Sequence, residues 1–444
     1  SGRMLENIDG KFKDVTLESG LLHYGYGLGV VSSDINNDGW PDLYVANDFT
    51  IPDKIFINNH NKTFTDQCKS YVKHVPWFSM GVDIADINND GFLDIGSLDM
   101  AAADHIRGKT LMQSMDRTSF NYLVNILNYQ HQYMFNALQI NNGNNTFSEI
   151  ANLSSVAKTD WSWAPLFADF NNDGHKDYFV TNGFRKVNSD NDWKIKLNKI
   201  KRQGKMKLLD RKTREKIYEE MPEVKLPNKL FINNQNLKFN DIGDEQGLHQ
   251  PSFSNGAAYA DLDNDGDLDL VVNNIDQEAF IYKNNSQENN NNYLRVSLDA
   301  TNNSEYYNAK VLIYYDKKVQ MQEYSPVRGF QSCVEHTLHF GIPENVNKVD
   351  SILVYWLDGA SKKVENPKLN SVVKITKLGS EMIAKKPLIE TLFETVEASN
   401  YDITFIHKEN EFDDFIDESL LPHKQSVLGP FSSVADVNKD GLDD

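Results

Sequence analysis

Residues 33–48 read SDINNDGWPDLYVAND, and this stretch decides the fold. Four oxygen-bearing side chains stand at positions one, three, five and nine of a short polar loop: Asp34, Asn36, Asp38 and Asp42. Alternate residues of a tight loop can point their oxygens at a common centre, and the glycine at position six permits the sharp turn. A run of β-forming residues follows the last aspartate. The stretch therefore predicts a polar loop that leads directly into a β-strand.

The same pattern occurs five times, and a repeat is stronger evidence for a fold than a single motif. The other copies are ADINNDGFLD from 85, ADFNNDGHKD from 168, ADLDNDGDLD from 260 and ADVNKDGLDD from 435. An apolar lead precedes every loop, and it contains a glycine in all copies except the third, WAPLFAD. Three copies continue into a strand, an Asn-rich turn and a strand, in IFINNHNKTF, LQINNGNNTF and LFINNQNLKF. Each repeat thus predicts about four short strands, as in a propeller blade.

The loop chemistry favours a hard divalent cation. Carboxylate and amide oxygens, with a main-chain carbonyl at position seven, suit calcium, with magnesium as second choice. Zinc is disfavoured because no histidine or cysteine side chain takes part. An EF-hand is disfavoured because position twelve is never glutamate and β-like sequence follows. The predicted ligands are Asp34, Asn36, Asp38, Trp40 and Asp42; Asp86, Asn88, Asp90, Phe92 and Asp94; Asp169, Asn171, Asp173, His175 and Asp177; Asp261, Asp263, Asp265, Asp267 and Asp269; and, in the fifth copy, Asp436, Asn438, Asp440 and Asp444.

This repeat resembles the FG-GAP/VCBS repeats of integrin-α-like β-propellers, on its lead, its nine-position loop and its L-x-V-x-N strand. The resemblance covers most of residues 1–290 and the end of the chain, and it implies one calcium ion per loop. Residues 293–378 read instead as alternating strands, which predicts a small antiparallel β-sandwich. Its segment VRGFQSCVEHTLHFGIPENVNKVDSILVYWLDG resembles the ASPIC/UnbV domain of cartilage-acidic-protein-like proteins, on Arg328, Gly329, Phe330, Ser332, His339, Phe340, Gly341, Trp356 and Gly359.

The predicted fold class is therefore all-β, with three parts. Residues 1–290 form propeller blades, 291–378 the ASPIC/UnbV-like domain, and 379–444 a connector and the first blade of a further propeller. Successive loops begin 52, 83 and 92 residues apart, which predicts insertions near 101–137 and 186–225. Both insertions favour helices, and the second is basic. The chain opens on the tail of a repeat and closes before a strand, so we expect a piece of a longer protein.

Composition restricts the function. The net charge of −19 disfavours nucleic acid as a partner, and no apolar run approaches the roughly 18 residues of a membrane span. The two cysteines lie far apart in the sequence and predict buried free thiols. No coherent nucleophile–base set is visible. These features favour a non-enzymatic, calcium-stabilised scaffold outside the cell or at its surface.

The partner expected for such a scaffold is a cell-surface protein or a polysaccharide. A bacterial outer-membrane assembly is the preferred setting. The alternative is a polysaccharide hydrolase or lyase that uses acids and aromatics outside the loops: Trp161, Trp163, Asp192 and Trp193. An integrin-like adhesion subunit is a third hypothesis, which the shortage of cysteines disfavours. The basic insertion is either a solvated helix or a docking element for an acidic partner or an anionic glycan.

Overall fold

Antiparallel β-sheets dominate the part of the chain that the computed structural model describes. That part comprises residues 2–111, 117–187, 190–202, 210–299, 306–382, 398–401, 404–418, 421, 424–427, 429, 433, 435–436, 439 and 441. The chain divides into two compact units, residues 1–384 and 385–444. The all-β prediction is confirmed. The finer boundaries predicted at 290 and 378 stay predictions.

Four sheets of three or four strands follow one another along the first unit, after a short hairpin of β1 (Leu5–Ile8) and β2 (Lys11–Asp14). Blade one contains β3 (Tyr26–Ser33), β4 (Asp42–Asp48), β5 (Lys54–Asn58) and β6 (Phe64–Asp66). Blade two contains β8 (Val82–Ala85), β9 (Asp94–Ser97), β11 (Ala137–Asn141) and β12 (Phe147–Glu149). Blade three contains β13 (Ser162–Ala168), β14 (Asp177–Asn182), β15 (Lys229–Asn233) and β16 (Phe239–Asp241). Blade four contains β17 (Ser254–Ala260), β18 (Asp269–Asn274) and β19 (Phe280–Tyr282).

The loops lie where the sequence predicts them, between the first and second strands of each blade. The first strands of neighbouring blades lie side by side, β3 by β8, β8 by β13 and β13 by β17. The apolar core lies between consecutive sheets, because alternate residues of a strand face the neighbouring blade. Val31 and Ile55 of blade one, for example, are buried in one cluster with Val82 and Ile95 of blade two. The blades therefore pack face to face.

The two predicted insertions are helical in the described residues, as expected. The first contains α2 (His105–Thr110), α3 (Arg117–Asn121), a π-helical turn (Tyr122–Ile126) and β10 (His131–Tyr133). Strand β10 pairs in parallel with β7 (His74–Pro76), which follows the short helix α1 (Cys68–Tyr71). The second insertion contains α4 (Asn191–Arg202) and α5 (Arg211–Glu219). No helix in the described ranges is long and apolar enough to cross a membrane.

The described residues from 292 to 382, that is 292–299 and 306–382, form two sheets around one core, which we call the β domain. The smaller sheet contains β20 (Asn292–Asp299), β25 (Leu338–Ile342) and β28 (Val372–Thr376). The larger contains β21 (Lys310–Tyr315), β22 (Lys318–Glu323), β26 (Ser351–Tyr355), β27 (Ala360–Glu365) and β29 (Glu381–Met382). A separate hairpin is formed by β23 (Val327–Arg328) and β24 (Ser332–Cys333). The pairing is antiparallel except between β20 and β28, which are parallel.

The second unit is described only in part. It contains a 3₁₀ turn at Ala398–Tyr401 and the helix α6 (Asp414–Asp417). Most of the further blade predicted near the C-terminus lies outside the described residues. Both cysteines are free, as expected, but only Cys68 is buried. The prediction was wrong for Cys333, because it ends the β23–β24 hairpin with its side chain exposed.

Candidate metal centres

The first four loops share one backbone conformation. Position four has a positive φ in each, between 59° and 62°, and is always asparagine: Asn37, Asn89, Asn172 and Asn264. The glycine at position six has a φ between 84° and 95° in each: Gly39, Gly91, Gly174 and Gly266. Few residues other than glycine tolerate such φ values, and asparagine is the most tolerant of these. The sequence pattern therefore encodes the loop geometry as well as its oxygens.

Each loop is wrapped around its own side-chain oxygens. In all four, the amide of the glycine at position six donates to Oδ2 of the first aspartate, at 2.8–3.2 Å. In all four, the amide of position seven donates to Oδ1 of the aspartate at position five, at 2.8–3.4 Å. These main-chain donors turn the carboxylates into the loop.

Loop four has the highest density of carboxylates, because its position three is aspartate rather than asparagine. Ligand oxygens of Asp261, Asp263 and Asp265 lie within 4.8 Å of one another. Two oxygens that each lie about 2.4 Å from one calcium ion can be at most about 4.8 Å apart. The spacing of these three side chains therefore fits a single calcium ion.

Loop one contains a buried carboxylate oxygen that lacks a hydrogen-bond partner among the described residues, Oδ1 of Asp34. The other oxygen, Oδ2, accepts from the Gly39 amide at 2.9 Å and from Lys310 Nζ at 2.8 Å. A buried polar atom without a partner costs free energy, and a cation would supply the missing interaction. The residues of this loop therefore fit a metal ion that approaches from the Oδ1 side.

The electrostatics of the loops support the same conclusion. Burial raises the pKa of Asp42 to about 7, and the neighbouring carboxylates of Asp34 and Asp38 add to this rise. Burial likewise raises the pKa of Asp86 to about 6; the nearby Lys176 ammonium group opposes this rise and the Asp90 carboxylate adds to it. Carboxylates in this setting are costly to ionise unless a positive charge lies among them.

The aspartate at position nine joins each loop to the second half of its blade. Its two carboxylate oxygens each accept a hydrogen bond from a main-chain amide. One amide belongs to position two of the same loop. The other belongs to an asparagine that ends the third strand of the blade, or follows it in blade four. In blade one, Asp42 accepts from Ile35 at 3.1 Å and from Asn58 at 2.8 Å. Each oxygen keeps a second lone pair for a cation. Position nine therefore has a bracing role whether or not metal is present.

The asparagines of this contact are functional residues that the sequence analysis did not identify: Asn58, Asn141, Asn233 and Asn284. Each donates its side-chain amide to the carbonyl at position eight of its own loop, at 3.0–3.2 Å. The last three also donate to the carbonyl at position two of the preceding loop, at 2.7–3.1 Å. They thus connect consecutive loops. The recurring NN after the third strand was the signal that could have found them.

The loops also contact one another directly. Asn89 of loop two donates to the Gly174 carbonyl of loop three at 2.9 Å. Asn172 of loop three donates to the Gly266 carbonyl of loop four at 3.1 Å. Loops two to four therefore form a continuous row.

Basic side chains already lie against two of the loops. In loop four, Lys283 forms ion pairs with Asp263 and, at 3.3 Å, with Asp265. In loop one, His60 Nε2 lies 2.9 Å from Asp38, and its ring stacks on Trp40. A metal ion in these loops would compete with the basic groups for the same carboxylates.

The structure brings together the predicted residues of the first four loops. In the fifth copy only Asp436 is described, and it accepts the Gly441 amide at 2.9 Å, as in the other loops. Asn438, Asp440 and Asp444 lie outside the described residues. The assignment of all these residues as metal ligands stays a prediction.

The aromatic residues considered for a polysaccharide enzyme have packing roles. Trp161 stacks on Phe184, with ring centroids 3.9 Å apart. Trp163 packs on Phe330 and donates its indole N–H to the Gly183 carbonyl at 2.6 Å. Trp193 of α4 is buried. These contacts favour the interpretation of the tryptophans as core residues.

Comparison with known proteins matches both halves of the first unit. A family model described as FG-GAP-like repeat matches residues 34–97 and 123–180. A model described as ASPIC and UnbV matches residues 299–381. Both resemblances stated from the sequence are thereby confirmed.

Among curated proteins, cartilage acidic protein 1 of Homo sapiens is 24% identical over 374 residues, which cover 82% of this chain and 46% of that protein. Cartilage acidic protein 1 of Xenopus tropicalis is 25% identical over 387 residues, covering 84% and 48%. The chain spans about half the length of the curated relatives it matches. The matches indicate an extracellular or cell-surface protein.

Proposed function

We propose that the chain, which matches family models described as FG-GAP-like repeat and as ASPIC and UnbV, is a non-enzymatic interaction scaffold whose blades are stabilised by calcium. The observation that carries the proposal is the recurrence of one loop geometry in four consecutive blades, each with a carboxylate or amide oxygen at positions one, three, five and nine. A catalytic site needs one distinctive arrangement, whereas four equivalent loops suit a structural ion in each blade.

The proposed ligands in each loop are the side chains at positions one, three, five and nine and the carbonyl at position seven. Their charge suits an environment in which calcium is abundant, since extracellular modules bind it with dissociation constants of about 10⁻⁴–10⁻³ M. This agrees with the proposed location outside the cell. An outer-membrane location in a bacterium stays a prediction.

The proposed partner surface is the basic helix α4 in the insertion of blade three. Lys199, Lys201 and Arg202 lie in its last turns, and among the described residues no acidic side chain forms an ion pair with them. Basic residues that form no ion pair within the described part of a chain of net charge −19 suit an anionic partner. We therefore propose an anionic polysaccharide of the cell surface as the ligand.

Binding to immobilised anionic and neutral polysaccharides, with turnover assays on the same panel, tests this proposal. We expect binding to an anionic member that falls at high salt, without release of cleaved product. The triple variant Lys199→Gln, Lys201→Gln, Arg202→Gln should lose most of the binding. A control with the same change of charge in the β domain, Lys317→Gln, Lys368→Gln, Lys374→Gln, should retain it. Equal binding by both variants would refute the proposed surface, and cleavage of any member would favour the enzyme alternative.

A further inference from the structure

We infer that the β domain acts as an intramolecular clamp on the blades. Its hairpin, residues 326–334, inserts between the first strands of three blades. Charged residues elsewhere in the domain bind the loops of the first and fourth blades, and we call these loop contacts the rim. The inference concerns the role of the ASPIC and UnbV domain and is independent of whether the loops bind calcium. Three sets of contacts support it.

The first set involves the tip of the hairpin, where the main chains approach too closely for most side chains. The amide of Gly329 donates to the Val82 carbonyl at 3.0 Å, and the Val82 amide donates back at 3.2 Å. A Cβ atom on Gly81 would lie 2.1 Å from the Trp163 carbonyl oxygen and 2.8 Å from the Gly329 carbonyl oxygen. A Cβ atom on Gly256 would lie 2.6 Å from Ser332 Oγ. A side chain at Gly81 would therefore collide with the main chains of blade three and of the hairpin. At Gly256 the Phe330 carbonyl oxygen would lie 3.1 Å from an added Cβ atom, whereas Ser332 Oγ could rotate away. The hairpin thus packs closely against the residue before β8 and against β17.

These glycines explain the apolar leads of the repeats. Gly81 and Gly256 each stand five residues before the first aspartate of their loop, and Ala164 has this place in the third blade. In the third blade the hairpin itself provides the glycine. Gly329 faces Ala164, and a Cβ atom on Gly329 would lie 3.3 Å from the Cβ atom of Ala164. The lead of each of these blades is thus complementary to the hairpin.

The second set involves Arg328, which is 8% exposed and joins three blades. Its guanidinium donates to the Ile84 carbonyl of blade two at 2.9 Å. It also donates to the Phe167 carbonyl of blade three at 3.3 Å and to the Tyr259 hydroxyl of blade four at 2.9 Å. Asp83, which is fully buried, balances the charge, with an oxygen 3.3 Å from Arg328 Nε. One side chain of the β domain therefore fixes the spacing of β8, β13 and β17.

The third set of contacts joins the β domain to the loops of the first and fourth blades, with one acidic and one basic side chain at each loop. In loop one, Glu323 accepts the Asp34 amide at 3.0 Å while Lys310 donates to Asp34 Oδ2 at 2.8 Å. In loop four, Glu335 accepts the Asp261 amide at 3.1 Å while Arg295 donates to Asp261 Oδ2 at 2.7 Å. In both the first and the fourth loop, an acid and a base of the β domain thus bind the main chain and the side chain of the first loop residue.

The test compares variants of the full chain by native-state hydrogen exchange and mass spectrometry, in saturating calcium. In Arg328→Met, we expect exchange to rise at least tenfold in β8, β13 and β17 together. The double variant Arg328→Met, Asp83→Asn removes the unpaired buried acid, and we expect the increase to persist. Arg185→Met, which removes an exposed ion pair with Asp276, is the control and should leave exchange unchanged.

Restoration of slow exchange in the double variant would show that Arg328 serves only as the counter-ion of Asp83, and it would overturn the clamp. A rise confined to 326–334 would also overturn it. Should the Arg328 variants fail to fold, the rim variant Lys310→Met, Arg295→Met decides the question. The clamp predicts faster exchange in residues 34–42, 261–269 and the β domain at once, and unchanged exchange in the loops would contradict it.

Discussion

The asparagine that connects two consecutive loops gives the sharpest test of how the blades are held. Asn141 is 6% exposed, and its side-chain amide donates to the Ile35 carbonyl at 3.1 Å and to the Leu93 carbonyl at 3.2 Å. The side-chain oxygen of Asn141, Oδ1, accepts a hydrogen bond from the Gly143 main-chain amide at 3.0 Å. Asn141→Ala removes all three bonds. At roughly 0.5–1.5 kcal/mol each, the free energy of unfolding should fall by about 1.5–4.5 kcal/mol.

Two matched variants set the scale for this loss. Asn58 has the same place in blade one, but among the described residues its side-chain amide donates only to the Pro41 carbonyl, at 3.0 Å, and its side-chain oxygen accepts the His60 amide. Asn58→Ala should therefore cost less, about 1–3 kcal/mol. Asn142→Ala, at the exposed neighbour of Asn141, removes two side-chain hydrogen bonds, with Thr146 at 3.1 Å and Ser148 at 3.0 Å. Both are exposed to solvent and water can replace them, so stability should change by no more than about 0.5 kcal/mol.

Urea unfolding monitored by tryptophan fluorescence, with calcium held constant, measures the three values. Hydrogen exchange in residues 34–42 of Asn141→Ala adds a local readout, because loop one loses a contact although the substitution lies in blade two. A loss in Asn58→Ala equal to or larger than that in Asn141→Ala would refute the role of the bridge. A loss of the same size in Asn142→Ala would show that removing any polar side chain from this turn destabilises the protein, and that the bridge between the loops has no special role.

Two further predictions concern the charge of the loops. Lys283→Met should raise the calcium affinity of loop four on the order of fivefold, because the ammonium group competes for Asp263 and Asp265 and an exposed ion pair contributes up to about 1 kcal/mol. Isothermal titration should show no such gain in Lys229→Met, which removes an ion pair with Asp241 instead. Metal-stripped protein should become less stable as pH rises from about 4 to about 7, because the raised pKa of Asp42 lets the folded state bind protons that the unfolded state releases near pH 4. Urea unfolding at several pH values checks this sign, and saturating calcium should abolish the trend or reverse it.

Much of the fold could be predicted because the loop pattern fixes backbone and side chains together. Glycine at position six and asparagine at position four set the two positive φ values, and the apolar leads and tails set the strands. The two insertions could be predicted from the uneven spacing of the loops. Their helices could be predicted from the helix-like spacing of apolar residues within them.

The contacts between distant segments could not be predicted. Arg328 was recognised only as part of a domain signature, yet it joins carbonyls from residues 84 and 167. Hydrogen bonds to main-chain carbonyls leave no complementary residue type in the sequence, so no pattern reveals the partner. The bridging asparagines carried a visible signal in the repeated NN, but turns also favour asparagine, and that explanation was sufficient for the sequence alone.

The most direct measurement is the thermal unfolding of metal-stripped protein against increasing calcium, with magnesium in parallel. Each loop that binds calcium only in the folded state should add stability by mass action, about 2.7 kcal/mol at a hundredfold excess over its dissociation constant. The account predicts a midpoint that rises steadily with calcium and less with magnesium. It also predicts that a variant with Asp38, Asp90, Asp173 and Asp265 all changed to asparagine responds to neither ion. An unchanged midpoint up to about 10 mM calcium, or an equal rise in that variant, would contradict the claim that these loops are calcium sites.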